Sequence, residues 1–304
     1  MEKELLYKSR SFSSCIQASY RLMSDNFGRI FRSTWLPVLI LSIMSGLFIT
    51  INMPSPEMFT LGMEHQTTFL SIFAVSMLGM LACSIWVSVR LVSMLNEQPR
   101  KWNLQRILLL IINTIVVCIV LYAIFFLAIW MAHRHTGGDW LVFFTDNWLA
   151  VLGMFIVIIL AVLPLYYISV RYLCNENARF WIDFPKTYMI GVRHMGFIFL
   201  ITLLLSIITG ILILIIGMPL FILQAANTAS LLGELSGDPV TLPKYFIFMV
   251  GITTFVVTFI ASYIQMFPWI AYFFMYGSIE KQEEERNKNT TAIDSINLPD
   301  TQLV

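Results

Sequence analysis

Residues 197–223 read FIFLITLLLSIITGILILIIGMPLFIL, a run without a charged side chain. A hydrocarbon core about 30 Å thick requires roughly 20 apolar residues in a helix that rises about 1.5 Å per residue. The run is therefore long enough to cross a bilayer as one helix. Five further runs share this character, at 35–53, 69–89, 107–131, 148–170 and 245–277. The pattern predicts an all-α fold: a polytopic membrane bundle of six transmembrane helices.

Composition supports the same class of protein. The chain has 304 residues, of which 58% are hydrophobic and 12% charged, a balance typical of membrane proteins. A net charge of +1 gives no overall attraction to nucleic acid, so no such partner is predicted. Because no cysteine has a CxxC partner or an adjacent histidine, the four cysteines are predicted to be free thiols rather than metal ligands.

The basic residues predict the orientation of the chain. Lysine and arginine collect in the cytoplasmic loops of membrane proteins. All but Arg134 and Lys244 of the 19 basic residues lie in the leader, after the second or fourth helix, or after the sixth. The bias predicts an even number of spans with both termini in the cytoplasm. The first apolar run starts only near Trp35, so the first helix is predicted to be a retained anchor rather than a signal peptide.

The leader, residues 1–34, carries a candidate surface helix. Its apolar residues recur at helical spacing: Phe12, Ile16, Tyr20, Met23, Phe27, Ile30 and Phe31. The opposite face holds Arg21, Arg29 and Arg32, which are candidate contacts for anionic lipids, as in a helix lying in the membrane interface. At the other end of the chain, residues 279–304 are predicted to form a charged helical extension followed by a disordered tail.

A second candidate surface helix spans 184–199, with Asp183 as its predicted cap. The sequence around this helix aligns with the leader at an offset of 168 residues. The identical pairs are Tyr20 and Tyr188, Gly28 and Gly196, Ile30 and Ile198, Phe31 and Phe199, Thr34 and Thr202, and Leu36 and Leu204. The match predicts parallel repeats of one interfacial helix plus two spans, with 97–170 as a degenerate middle copy.

Two segments resemble a known family. Residues 163–199 read LPLYYISVRYLCNENARFWIDFPKTYMIGVRHMGFIF, and residues 267–286 read FPWIAYFFMYGSIEKQEEER. These segments resemble the YciC-like bacterial inner-membrane proteins. The shared layout is a span that ends in a basic residue, a short loop, a surface helix, and a last span that contains a proline next to aromatic residues and is followed by acidic ones. The layout is also similar to the membrane portion of some glycerophosphodiester phosphodiesterases. The resemblance implies a repeat-built bacterial inner-membrane domain, and the chain has no room for the catalytic barrel of such phosphodiesterases.

The sequence offers little that could carry chemistry. P-loop, GxSxG, HExxH and Rossmann signatures are missing, so no catalytic or cofactor-binding residue is predicted and no cofactor is expected. His65, His133, His135 and Asp139 could meet at a metal, but a solvated loop cluster is the preferred interpretation. Arg90 and Arg171 end their helices and are interpreted as interfacial anchors. Ionisable residues are absent from mid-span, which disfavours an ion-coupled pump.

One polar stripe lies within the last predicted span. Thr258, Ser262 and Gln265 are four and three residues apart, so they share a helix face. Such a stripe either packs helices together through hydrogen bonds or lines a polar path. The leading hypothesis is a non-enzymatic scaffold or accessory subunit that binds membrane lipids and another membrane protein. The alternatives are a transporter or lipid-handling protein with a cavity between repeats, and an enzyme assembled from outer-loop residues.

Overall fold

The helices of the chain follow the predicted order. The computed structural model describes residues 6–53, 63–136, 147–238 and 242–296. Eight α-helices run through these residues: α1 Phe12–Asp25, α2 Phe27–Ile51, α3 Met63–Leu95, α4 Arg100–Thr136, α5 Trp148–Cys174, α6 Phe180–Arg193, α7 Met195–Leu235 and α8 Phe246–Ile296. Six of them, α2, α3, α4, α5, α7 and α8, are long and apolar enough to cross a membrane. The predicted all-α fold with six spans is confirmed.

Helix boundaries differ from the sequence-based ones at the polar ends of the spans. Helix α2 begins at Phe27, well before the apolar run near Trp35, because arginines can extend away from an apolar surface without ending a helix. The leader 1–34 therefore contains α1 and the first turns of α2. Helix α8 continues to Ile296 and so includes the helical extension predicted after residue 278. Residues 297–304 lie outside the described part of the chain.

The second surface helix is α6, and it starts earlier than predicted. It begins at Phe180 and ends at Arg193, and α7 then starts at Met195. Asp183 lies inside the first turns rather than at the cap. Its carboxylate Oδ2 instead accepts a hydrogen bond from the backbone N–H of Arg179, 2.8 Å away, just before the helix. Asp183 thus still satisfies an N–H at this helix end, from inside the helix.

The 168-residue offset recurs in the backbone. Helices α1 and α6 both have 14 residues, and Phe180 follows Phe12 by that offset. A single non-helical residue separates each from the next span, Asn26 with φ −110° and ψ 12° and His194 with φ −99° and ψ 20°. Helix α4 runs unbroken from Arg100, so the middle copy has no separate surface helix. The repeat proposed from six identities is thus matched by the helix boundaries.

The connections after α3 and α5 share one turn. The side-chain Oδ1 of Asn96 accepts from the backbone N–H of Gln98 at 3.1 Å, and that of Asn175 accepts from Asn177 at 3.0 Å. Asparagine favours such turns because its side-chain oxygen can accept a hydrogen bond from the backbone N–H two residues later, as a backbone carbonyl does in a turn. The first turn leads from α3 into α4 and the second from α5 into α6.

The chain divides into two compact units. The first comprises Met1–Ala18, Lys101–Leu203 and Ala271–Val304, and the second comprises Ser19–Arg100 and Leu204–Ile270. In the first unit α6 packs against α5 through Gly191, where an added Cβ would lie 2.8 Å from the Cβ of Pro164. The Tyr188 hydroxyl donates to the carbonyl of Ala161 at 3.1 Å, in the helical turn that Pro164 disturbs. These contacts fix α6 on α5.

The second unit holds its helices together through small residues. An added Cβ at Gly46 of α2 would lie 2.9 Å from the carbonyl oxygen of Gly251 in α8. Close approach of this kind is typical of membrane helices, which gain no hydrophobic driving force from meeting in lipid. Near the start of α2, the rings of Phe27 and Phe31 contact that of Tyr263 at centroid distances of 5.9 and 5.6 Å.

Large apolar side chains cover the outside of the spans. Ile112, Ile119, Ile124, Ile215 and Phe248 are each more than half exposed. A soluble surface seldom carries contiguous apolar areas of this extent, whereas a lipid-facing surface requires them. The six apolar helices and this exposed surface define the class of the chain: it is a multi-pass integral membrane protein.

Candidate functional site

A cleft of about 660 Å³ opens in the first unit, beyond the apolar part of α8. Its walls come from the last turn of α5, from α6 and from the charged extension of α8. The lining residues are Arg171, Lys186, Met189, Ile190, Arg193, Glu280, Glu283, Glu284 and Asn287. The cleft therefore brings three basic and three acidic side chains together.

Helical spacing explains how two walls of the cleft form. On α6 the lining residues Lys186, Met189, Ile190 and Arg193 follow the spacing i, i+3, i+4, i+7, and on α8 Glu280, Glu283, Glu284 and Asn287 do the same. Residues at these intervals share one face of an α-helix. Each helix thus presents one continuous stripe to the cleft, and the two stripes differ in charge.

At the base of the cleft, Glu280 joins two residues of α5. Its Oε1 accepts a hydrogen bond from the hydroxyl of the fully buried Tyr167 at 2.7 Å. The same oxygen lies 3.8 Å from Nε of Arg171. Arg171 nevertheless keeps one buried nitrogen, Nη1, without a hydrogen-bond partner. The residue interpreted from sequence as a simple interfacial anchor is therefore part of a polar cluster.

A second cluster ties the junction of α6 and α7 to α8. Glu283 accepts from Nη1 of Arg193 at 3.0 Å and contacts Nε2 of His194 at 2.8 Å. Glu284 is engaged within its own helix, 2.9 Å from Nζ of Lys281 and 2.6 Å from Nζ of Lys288. Because His194 is the single non-helical residue before α7, Glu283 stabilises the break that separates surface helix from span.

The residues before α1 pack on α8 next to this cleft. Ser278 Oγ accepts from the backbone N–H of Arg10 at 2.9 Å and donates to its carbonyl at 3.0 Å. The backbone of Leu6 lies directly against Gly277. Burial raises the pKa of the Tyr7 phenol, although a hydrogen bond with Tyr276 opposes the shift. This N-terminal segment, Leu6–Arg10, is therefore an ordered part of the first unit.

Burial raises the pKa of the nearby Cys15 thiol to about 11, against a smaller opposing effect of Arg10. Cys15 and Ser19, one turn apart in α1, are both fully buried. Thr187 of α6, which corresponds to Ser19 at the 168-residue offset, is also buried. The aromatic residues of α1 behave differently, since Phe12 and Tyr20 are exposed. Helix α1 thus buries its small residues and exposes these two aromatic ones. Soluble amphipathic helices do the reverse.

The predicted lipid contacts Arg21, Arg29 and Arg32 are all exposed. None of the three forms an ion pair or hydrogen bond with another described residue, and Arg21 does not pair with Asp25 one turn away. Their guanidinium groups are thus available to ligands outside the chain.

The polar stripe of α8 lines a groove in the second unit. Thr258, Ser262 and Gln265 contribute to a cavity of about 330 Å³ together with Ser84 and Ser88 of α3. Ser262 donates to the carbonyl of Thr258 at 2.7 Å, and Ser88 to that of Ser84 at 2.9 Å. Within the described residues, no hydrogen bond runs from Thr258, Ser262 or Gln265 to another helix.

Three of the four residues considered for a metal have their side chains outside the described structure. The side chains of His65 and His135, and the whole of Asp139, lie outside it. His133 is described, and within the searched residues no group of three or more histidine, cysteine or acidic side chains could hold a metal. The four cysteines are free, as predicted.

The cleft was not predicted from the sequence, although both of its stripes can be seen there. From the sequence, the basic residues of α6 indicate orientation and the charges of α8 indicate a helical extension. Periodicity identifies which residues share a face, but it does not tell which distant helix that face will meet. Comparison with protein-family models, with curated proteins and with solved structures found no match. The resemblance to YciC-like proteins therefore stays a prediction.

Proposed function

We propose that this membrane protein is a non-enzymatic component of a bacterial inner membrane, a scaffold or accessory subunit that binds anionic lipids with its cytoplasmic surface. One observation carries the proposal: Arg21, Arg29 and Arg32 are exposed and unpaired within the described chain. The exposed rings of Phe27 and Phe31 lie among them at the start of the first span. Cations next to aromatic side chains suit a surface where headgroups meet hydrocarbon.

The proposal is tested by neutralising the three arginines together in the full-length protein, as Arg21→Gln, Arg29→Gln and Arg32→Gln. Each basic residue close to an anionic membrane contributes about 1 kcal/mol. We expect native mass spectrometry of protein released from phosphatidylglycerol nanodiscs to show fewer retained lipids for the triple variant than for the wild type.

A control variant carries Arg134→Gln and Lys244→Gln, the two basic residues assigned to the other side of the membrane. Its lipid retention should match the wild type. Equal retention by the wild type and the triple variant would contradict the proposal. A protein that is retained in stoichiometric amount in the same spectra would identify the partner of an accessory subunit.

The groove of the second unit favours a second candidate function, lipid handling or transport. Its polar side chains Thr258, Ser262 and Gln265 face a cavity rather than hydrogen-bonding to a neighbouring helix. The test places single cysteines at these positions in a chain lacking its four native ones. A water-soluble thiol reagent should modify them if the groove is an open cavity, whereas protection at all three positions would contradict this function and support a packed helix interface.

A further inference from the structure

Three polar groups around the cleft of the first unit have unused binding capacity. Lys186 is exposed and makes no ion pair or hydrogen bond with a described residue. Arg171 also lines the cleft, its side chain is 22% exposed, and Glu280 is its one ion-pair partner among the described residues. Glu280 uses only its Oε1 in its contacts with Tyr167 and Arg171, which leaves Oε2 as a free acceptor. Two cationic donors and one anionic acceptor are therefore available at one site.

We propose that this cleft binds a phosphate group linked to a primary ammonium, as in a phosphatidylethanolamine headgroup or in free O-phosphoethanolamine. Phosphate oxygens accept hydrogen bonds from Arg171 and Lys186, and the ammonium donates to Glu280. Guanidinium and ammonium groups are the usual protein partners of phosphate.

The acidic side chains of the cleft favour a zwitterion over a plain anion. Glu280, Glu283 and Glu284 all line the same cavity as the cationic donors. A phosphate carrying no positive group meets these carboxylates as like charges, which opposes binding. An aminophosphate places its own cation among them instead. Selectivity for the ammonium-bearing headgroup therefore follows from the charges that surround the donors.

The exposed face of α6 favours the lipid as the source of this headgroup. Trp181, Ile182 and Met189 are each more than half exposed on the helix that carries Lys186. A helix with exposed aromatic and aliphatic residues beside a lysine is suited to the boundary between headgroups and acyl chains. A lipid held by its headgroup in the cleft can lay its chains along this surface.

The test measures binding to the detergent-solubilised full-length protein by native mass spectrometry. The probes are phosphatidylethanolamine, phosphatidylglycerol of the same chain length, and O-phosphoethanolamine as competitor. The wild type should prefer phosphatidylethanolamine. Lys186→Gln should lower the affinity for both lipids by about tenfold, because it removes a charge-assisted hydrogen bond. Glu280→Gln should remove only the preference, reducing phosphatidylethanolamine binding to the level of phosphatidylglycerol.

Matched controls are Lys244→Gln, an exposed lysine of the second unit, and Glu285→Gln, an exposed neighbour on α8 outside the cleft lining. Both should bind as the wild type does, and thermal melting should show that all four variants are folded. Competition by O-phosphoethanolamine that depends on Lys186 would assign the site to the soluble compound; its absence would assign it to the lipid. Equal binding of the two lipids by the wild type, or unchanged binding in Lys186→Gln, would overturn the proposal. Because Arg21, Arg29 and Arg32 are proposed to bind anionic lipid, every comparison is repeated in a background that carries Arg21→Gln, Arg29→Gln and Arg32→Gln, so that neither outcome depends on them.

Discussion

Gly277 sets the distance between the N-terminal segment and α8. A side chain at this position would run directly into the backbone carbonyl of Leu6. Since a carbonyl cannot rotate away as a flexible side chain can, Gly277→Ala should displace the segment Leu6–Arg10, at a cost of roughly 1–3 kcal/mol typical of overpacking. The hydrogen bond from the Arg10 N–H to Ser278 should then be lost.

Hydrogen exchange by mass spectrometry checks this expectation, because the Arg10 amide should exchange faster in the variant. Gly196→Ala is a matched control: it makes the same change in a helix where, apart from the adjacent residues and the helix's own backbone, no atom lies within 4 Å of the added carbon. Exchange at Arg10 that is equally slow in both variants would show that the segment does not need Gly277.

At the level of elements, the position of α6 depends on Gly191. An added Cβ would lie 2.8 Å from the Cβ and 3.2 Å from the Cα of Pro164, and the rigid proline ring has no rotamer that relieves the clash. Gly191→Ala should therefore push α6 away from α5, break the hydrogen bond between Tyr188 and Ala161, and destabilise the protein by about 1–3 kcal/mol. The measurement is the thermal midpoint in detergent, with Gly196→Ala as the reference. An unchanged midpoint would mean that α6 rests on other contacts.

Hydropathy predicted the elements well and their ends less well. The six spans follow from runs of apolar residues, because a bilayer imposes a fixed length on any helix that crosses it. The start of α2 at Phe27 was missed because Arg29 and Arg32 lower the local hydropathy without interrupting the helix. The break at His194 was missed for the opposite reason: Gly191, Val192 and Met195 look continuous with the span, and only the backbone reveals the non-helical residue.

At the scale of the whole molecule, the cleft could not have been predicted because its walls are distant in sequence. Arg171 and Glu280 are separated by more than a hundred residues and meet only through the packing of the first unit. The exposure of Arg21, Arg29 and Arg32 could be predicted because it depends on local sequence, whereas their contact with lipid stays a prediction. The groove of the second unit could be predicted in part. The spacing of Thr258, Ser262 and Gln265 predicts that they share a face of α8, whereas only the structure shows that Ser84 and Ser88 of α3 line the same groove.

The orientation proposed for the chain is open to a direct test. With six spans, both termini lie on the same side of the membrane, and the distribution of lysine and arginine predicts that this side is the cytoplasm. A fluorescent protein fused after Val304 should therefore be bright, and an alkaline phosphatase at the same point inactive. A phosphatase fused after Met53, which follows the first span, should be active. An active phosphatase at the C-terminus would mean an odd number of crossings or an inverted chain. Either result would also place the cleft-lining residues of α6 and α8 away from the cytoplasmic leaflet, whose lipids the proposed headgroup site is expected to meet.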